Sequence, residues 1–307
     1  MRIAMTGASG LIGSTLGSSL TADGHEVQRL VRRSARTSDE VAWDPGRGYV
    51  DTDSLAGADA VVHLAGAPIG PRRWTSAYKR QILESRTTGT RTLATALATM
   101  QTPVPRLLSA SGISVYGDSG DRVVDEDSDR GRGFLPEVVR LWEASTAPAE
   151  DVGISVAHLR TAAVLSTAGG LLGTMLPLFR LGLGGRLGTG RQYLSWIALD
   201  DQVGAIRFLL HHPELRGPIN LCSPEPVTNT EFTRSLAAAL RRPAPFVVPA
   251  PALRAALGQC AEEMALTGQR ARPSRLLAAG YSFLLPNLDC ALSDILARQR
   301  TGVGWEA

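Results

Sequence analysis

The sequence predicts an α/β fold, a doubly wound parallel sheet with a smaller, mostly helical C-terminal lobe. Three observations carry this. A short apolar run, Arg2-Ile3-Ala4-Met5-Thr6, ends in a glycine-punctuated turn and is followed by apolar residues at helical spacing, Leu11, Ile12, Leu16 and Leu20. Strand-like and helix-like stretches then alternate to about residue 165. Beyond that the chain is rich in Gly, Leu and proline-broken helices.

The turn is Gly7-Ala8-Ser9-Gly10-Leu11-Ile12-Gly13. The first glycine lets the chain leave the strand, the second lets a pyrophosphate approach the backbone, and the third lets the helix pack closely. Phosphates sit at such a helix N-terminus because its free N–H groups and dipole favour anions. A second strand, Glu26 to Val31, follows the helix, as a Rossmann-type nucleotide site requires. It leads into Arg32-Arg33, where an acidic residue would hold a ribose 2′-hydroxyl. Guanidiniums suit a 2′-phosphate instead, so the expected cofactor is NADP(H); which arginine reads it stays open. The expected cofactor contacts are Thr6, Gly7, Ser9, Gly10, Leu11, Ile12, Gly13, Arg32 and Arg33.

The 307 residues are 44% hydrophobic and 20% charged, which is ordinary for a globular chain. The net charge of +3 is scattered, with neither a nucleic-acid stripe nor a membrane patch, and only one lysine, Lys79. Cys222, Cys260 and Cys290 are far apart and lack metal-site spacing, so free thiols, no metal and a cytoplasmic location are expected. The fold begins at residue 2, which leaves no room for a signal peptide, and no apolar stretch is long enough to span a bilayer.

The polar stretch 34–58 reads as a hairpin at the sheet edge. Ala60-Val61-Val62-His63-Leu64 reads as a buried parallel strand, with His63 a satisfied core histidine, and ends in small residues that let a cofactor lie against the backbone. A long helix is expected at about 75–100, a strand over Arg106 to Ser111, a polar loop over 118–133, a helix at about 134–151 and a strand over Ile154 to Arg160. Tyr193 to Ile197 reads as a strand, Asp200-Asp201 as a helix N-cap, 202–211 as a helix, and Pro218 to Leu221 as a strand returning to the sheet. The expected division is 1–165 plus 201–222 for the nucleotide-binding part and 166–200 plus 223–307 for the substrate lobe, with the cleft between them.

Together these residues resemble an extended short-chain dehydrogenase/reductase. Residues 6–13 match TGxxGxxG, His63-Leu64-Ala65-Gly66 is close to HLAA, and Arg86-Thr87-Thr88-Gly89-Thr90 stands at NxxGT. Ser109-Ala110-Ser111 through Tyr116-Gly117 looks like the strand of the catalytic serine. The match is closer to an atypical branch, the sugar-epimerase-like "epimerase family proteins" with a characteristic C-terminal domain. Its marks are Leu64 to Ile69, Arg73-Trp74-Thr75, Gly120 to Glu126, Trp142-Glu143, Ser195-Trp196-Ile197, Pro224 to Asn229 and Pro273 to Leu277. The resemblance implies the fold, an NADP(H) site to which Leu64, Ala65, Gly66, Ser109 and Arg160 contribute, and a homodimer through the two long helices. No substrate comes with it.

The wider family uses Tyr-x-x-x-Lys, which places a proton-transferring tyrosine and the lysine that lowers its pKa on one helix face. Here no tyrosine is followed four residues later by lysine, and the expected positions fall near Leu135 and Val139. Three readings follow: a substitute proton donor, hydride transfer with little proton help, or a non-catalytic NADPH-binding sensor. The candidate catalytic residues are Tyr116 as donor, Ser111 to polarise a carbonyl, Glu143 as acid, and Arg86 to bind an anionic group in place of the relay asparagine, unless it pairs with Glu84 or a loop acid. Arg73, Trp74 and Trp196 are candidate contacts to a small organic, anionic substrate, each with a packing role as the alternative. An enzyme would keep an open nicotinamide face with a titratable group near it. A sensor would fill that face with Leu135 and Val139.

Overall fold

The structure is a computed structural model that describes residues 1–70 and 72–301. Among these residues the core is an eight-stranded sheet: β1 (Arg2–Thr6), β2 (Glu26–Val31), β3 (Glu40–Asp44), β4 (Tyr49–Val50), β5 (Ala60–His63), β6 (Arg106–Gly112), β7 (Ser155–Thr161) and β8 (Gly217–Leu221). In space they run β8-β7-β6-β5-β1-β2-β3-β4, all parallel except the β3–β4 hairpin. The chain therefore builds outward from β1 to one side, returns, and builds from β5 to the other. The switch point lies between β1 and β5, where open α/β sheets bind their ligands.

Alternate residues of each strand feed two layers. Ile3, Met5, Ala60 and Val62 pack under helices α1 (Leu11–Ala22) and α5 (Leu199–Leu210). Ala4, Val61 and Leu107 pack on the opposite face, under Leu93, Ala94 and Leu97 of α2 (Ser76–Thr99). Helix α3 (Phe134–Ala144) lies beside α2. A separate core joins Leu172, Leu176 and Phe179 of α4 (Gly170–Arg180) to Trp196, to Phe232 and Leu236 of α6 (Asn229–Leu240), and to Leu292 of α7 (Leu288–Thr301).

Three local expectations change. The helix expected over 134–151 breaks after Ala144, because Ser145 and Thr146 turn their hydroxyls onto the carbonyls of Leu141 and Glu143, at 2.7 Å each. Helix α5 starts at Leu199 with Ala198 at its N-cap, so Asp200 and Asp201 lie in the first turn. Asp201 instead accepts from the Leu284 and Leu285 N–H groups, at 2.7 and 3.0 Å, and fastens the C-terminal segment to α5. The stretch 193–197 divides at Ser195: Tyr193–Leu194 pairs with Val227–Thr228, and Trp196–Ala198 pairs with Ala163–Leu165. No helix among the described residues is long and apolar enough to cross a membrane.

The outer edge of β8 is covered. The Asn220 N–H donates to Glu126 Oε1 at 2.9 Å, and Arg275 reaches the Pro218 carbonyl at 3.2 Å, so the edge offers less to a foreign strand. At the other end of the strands Arg106, 3% exposed, gathers the carbonyls that follow α5. It donates to those of Leu209, His212, Pro213 and Leu215 and to Ser155 Oγ. Arg106→Met should strand several buried carbonyls and cost about 2–4 kcal/mol of unfolding free energy by denaturant titration. A loss under about 1 kcal/mol would mean that water replaces the guanidinium.

Candidate functional site

Packing dictates two of the three turn glycines. Gly7 has φ +68°, and a Cβ there would lie 2.8 Å from the Leu64 carbonyl carbon. A Cβ on Gly13 would lie 2.2 Å from the Gly7 oxygen. Gly10 is exposed, with only the Gly7 oxygen at 3.3 Å from its would-be Cβ. It is the N-cap of α1 and brings no capping side chain, so the N–H groups of Leu11, Ile12 and Gly13 lack acceptors among the described residues. An open glycine before free first-turn donors is a cradle that fits a pyrophosphate. At the end of β2 the two arginines differ. Arg33 is held bidentately by Glu40 at 2.7 Å, whereas Arg32 is exposed with no partner among the described residues.

Register explains the polar groups beneath α2 and α3. Thr6, His63, Ser109 and His158 are aligned across β1, β5, β6 and β7, and Ser111, Arg160 and Asn220 form the next such row across β6, β7 and β8. Thr6 Oγ1 accepts from the Leu64 and Ala65 N–H groups, each at 3.1 Å. With both lone pairs used, its proton is assigned to His63 Nδ1, 2.7 Å away. His63 then carries its proton on Nε2 and donates to Thr90 Oγ1 at 3.1 Å, which also accepts from Trp142 Nε1 at 2.9 Å. Burial pulls the His63 pKa down to about 4 and keeps the ring neutral.

In the second row Glu143 is the hub. Its carboxylate takes Arg160 Nε and Nη2 at 2.8 and 3.0 Å and the Ser111 hydroxyl at 2.8 Å. Burial alone would push this carboxyl up, but Arg160 outweighs it and holds it below its ordinary value. Arg160 Nη1 donates to the Tyr116 hydroxyl at 3.0 Å, and Tyr116 donates to Asn220 Oδ1 at 2.7 Å. Arg130, half exposed, stands 3.7 Å from Glu143. Preceding turns of the same helix carry Leu135 and Val139, both buried among apolar neighbours.

Arg86 is the unpaired cation of the site. It is 7% exposed, and its guanidinium lies beside the would-be Cβ of Gly66, 3.7 Å away, and over the Trp142 ring. Its one hydrogen bond among the described residues runs from Nη1 to the Ile82 carbonyl at 3.1 Å, and neither Glu84 nor a loop acid pairs with it. Burial lowers its pKa to about 10, so it stays charged at neutral pH.

Residues 3–222 match the model of the NAD dependent epimerase/dehydratase family, and residues 248–295 match a domain of unknown function, DUF1731. The chain belongs to the NAD dependent epimerase/dehydratase family. It is 48% identical to "Epimerase family protein Mb2239" of Mycobacterium bovis over 281 residues, covering 92% of this chain and 93% of that one. It superposes on the crystal structure of human epimerase family protein SDR39U1 with NADPH at TM-score 0.87, with 33% identity, 97% of this chain and 99% of that one covered. A nucleoside-diphosphate sugar epimerase structure from Corynebacterium glutamicum follows at TM-score 0.79 and 34% identity, covering 100% of this chain and 62% of the other.

In this epimerase-family chain the residues expected at the site separate. Gly7, Ser9, Gly10, Leu11, Ile12, Gly13, Leu64, Ala65 and Gly66 gather at the switch point, with Arg86, Ser111 and Glu143 along the adjoining strand ends and helices. Thr6 is fully buried and positions the turn rather than lining it. Ser109 is 1% exposed, two residues short of Ser111 in the same strand, and Arg160 is spent on Glu143. Tyr116 is 1% exposed, both its hydrogen-bond partners are internal, and burial raises its pKa to about 12, so it does not stand as an open proton donor. Ser111 gives its proton to Glu143 and presents lone pairs, not a donor, to a substrate carbonyl.

Each of the three substrate candidates makes an internal hydrogen bond. Arg73 caps helix Ala250–Leu257 by donating to the Ala255 carbonyl at 3.1 Å. Trp74 donates to the Ile69 carbonyl and packs edge-on to Phe134. Trp196 is fully buried in the C-terminal core and donates to the Glu225 carbonyl. Sequence reading missed Glu263, which caps the α3 N-terminus by accepting from the Phe134 and Leu135 N–H groups at 3.0 and 2.7 Å. No local pattern announces a cap that arrives from 128 residues away.

His63 generates a pH prediction. Its pKa is depressed on folding from 6.5 to about 4, so the unfolded chain binds the proton first. Stability should be full above 6.5 and fall by about 3 kcal/mol as pH drops to about 4. Denaturant titrations at both ends of that window, in wild type and His63→Gln, test this; equal slopes in the two proteins would remove His63 as the cause.

Proposed function

We propose that this protein is an NADP(H)-dependent oxidoreductase or epimerase-type enzyme acting on a small organic anion, without the usual Tyr-Lys pair. The observation that carries the reading is Arg86, a buried guanidinium with no acid partner among the described residues. Burying a cation without a counter-charge is costly, and a substrate carboxylate or phosphate would offset that cost.

The first-turn N–H groups of Leu11, Ile12 and Gly13 would hold the cofactor pyrophosphate, Arg32 its 2′-phosphate, and the backbone of Leu64 to Gly66 would border it. NADP(H) bound there supplies or accepts a hydride. Arg86 orients the substrate by its charge. Ser111 accepts a hydrogen bond from a substrate hydroxyl and passes its own proton toward Glu143, which is ionised and so acts as the acceptor end of the pair. The arrangement favours substrates that need a base, or a hydride acceptor already activated. NADPH in the human relative supports the cofactor choice. A second reading, a cofactor-binding sensor, is favoured by Leu135 and Val139, which fill the face where the pair would stand.

Two measurements follow. Calorimetric titration with NADPH and NADH should show a preference for NADPH. Arg32→Ala should weaken NADPH about ten- to hundredfold and leave NADH nearly unchanged, whereas Arg33→Ala should do much less. Equal losses of both cofactors in Arg32→Ala would overturn the 2′-phosphate assignment.

The second is a fluorescence scan of NADPH consumption against carboxylate-bearing carbonyls, enones and imines. It should find turnover that Arg86→Gln reduces about tenfold or more in kcat/KM. Matched neutral esters should lose nothing. Tight NADPH binding with no consumption of any compound would favour the sensor.

A further inference from the structure

The C-terminal lobe holds a cavity that shares no residue with the cleft described above. Helix α6 turns Phe232 and Leu236 into the lobe's core. Thr230, Thr233, Arg234 and Ala237, spaced i, i+3, i+4 and i+7, share another face that borders the strand pair Gly185–Leu187 and Phe246–Val248. Three of these four side chains are small, so helix and strands do not close, and a cavity of about 330 Å³ is left between them.

Its walls differ in character. Arg186 and Arg234 border it, and neither pairs with a carboxylate among the described residues. Arg186 Nη1 is bonded to the carbonyls of Gly188 and Thr189, which fixes the side chain without neutralising it. The acid one turn before Arg234, Glu231, makes its hydrogen bonds in the helix cap, accepting from the Thr228 N–H and hydroxyl at 2.7 and 2.8 Å, and meets Arg234 through charge alone. In the lining, Thr233 is 6% exposed and its Oγ1 has no hydrogen-bond partner. The remaining wall is apolar, with Phe246 50% and Val247 45% exposed.

We infer that this cavity is a second ligand site, one that takes an organic anion with an apolar body. The carboxylate or phosphate head sits between Arg186 and Arg234, while the body lies on Phe246 and Val247. Two guanidiniums that make no ion pair with a carboxylate among the described residues, and an uncovered aromatic ring beside them, are unused in the ligand-free lobe, and one such ligand engages all three.

The test is calorimetric titration of the NADPH-saturated full chain with phenyl phosphate, benzoate and inorganic phosphate. NADPH affinity serves as the readout that each variant is folded. Phenyl phosphate or benzoate should bind, and whichever binds tighter names the head group. Inorganic phosphate, which lacks the apolar body, should bind more weakly. Arg186→Gln and Arg234→Gln should each weaken binding about tenfold. Arg86→Gln should leave it unchanged. Absence of binding by both organic probes, binding that survives Arg186→Gln and Arg234→Gln intact, or binding that Arg86→Gln abolishes would each overturn the proposal. The last result would assign the anion to the main cleft.

Discussion

The hydroxyl of Thr6 ties together two strands that part at the switch point of the sheet. It holds the first two N–H groups beyond β5 and the ring of His63, at 2.7–3.1 Å. Through His63 and Thr90 the same chain of bonds reaches Trp142, so β1, β5, α2 and α3 are registered against one another by buried polar groups. In a low-dielectric interior such a network is strong when complete and costly when one member is lost. The turn at Gly7 can lie flat against the Leu64–Ala65 backbone because this network fixes where that backbone emerges. The cofactor cradle is thus a consequence of strand registration as well as of glycine.

A second constraint is charge. Glu143 and Arg160 are buried as a bidentate pair, with Ser111 and Tyr116 completing the valences. Removing one partner of such a pair strands the other, at a cost of about 3–5 kcal/mol, although the pair itself need not add net stability. The pair occupies one end of α3, while Leu135 and Val139 are given over to packing. Helix α3 thus carries neither tyrosine nor lysine, and its one buried charge, Glu143, is held in a fixed ion pair with Arg160. Arg86, one helix away, is buried against Trp142 with no acid partner among the described residues.

The fold was largely legible in the sequence because its signals are local. Continuous apolar runs mark strands buried on both faces, and the glycine turn marks the first crossover. The cofactor turn was legible for the same reason. The side chains around it were not. Trp74 and Trp196 look like ligand contacts as residue types, yet each spends its indole N–H on a backbone carbonyl, and exposed Arg73 gives its Nη1 to another. Whether a tryptophan lines a pocket or fills a core depends on what packs opposite it, and nothing adjacent in the chain encodes that.

The chain by itself determined the doubly wound sheet, the open helix N-terminus at Gly10 and the absence of a Tyr-x-x-x-Lys pair, since each is written within a few consecutive residues. Only the tertiary structure decided which arginine is free. Arg32 and Arg33 are equivalent in sequence, but Glu40, seven residues beyond Arg33, sits at the start of the neighbouring strand and pairs with Arg33 and Arg29 but not with Arg32. Likewise Glu143 met both Ser111 and Arg160 because strand register set those two side by side, and Arg86 stayed without an acid partner because none folded against it. Pairing between charges is a property of distance in space, and register and packing set that distance.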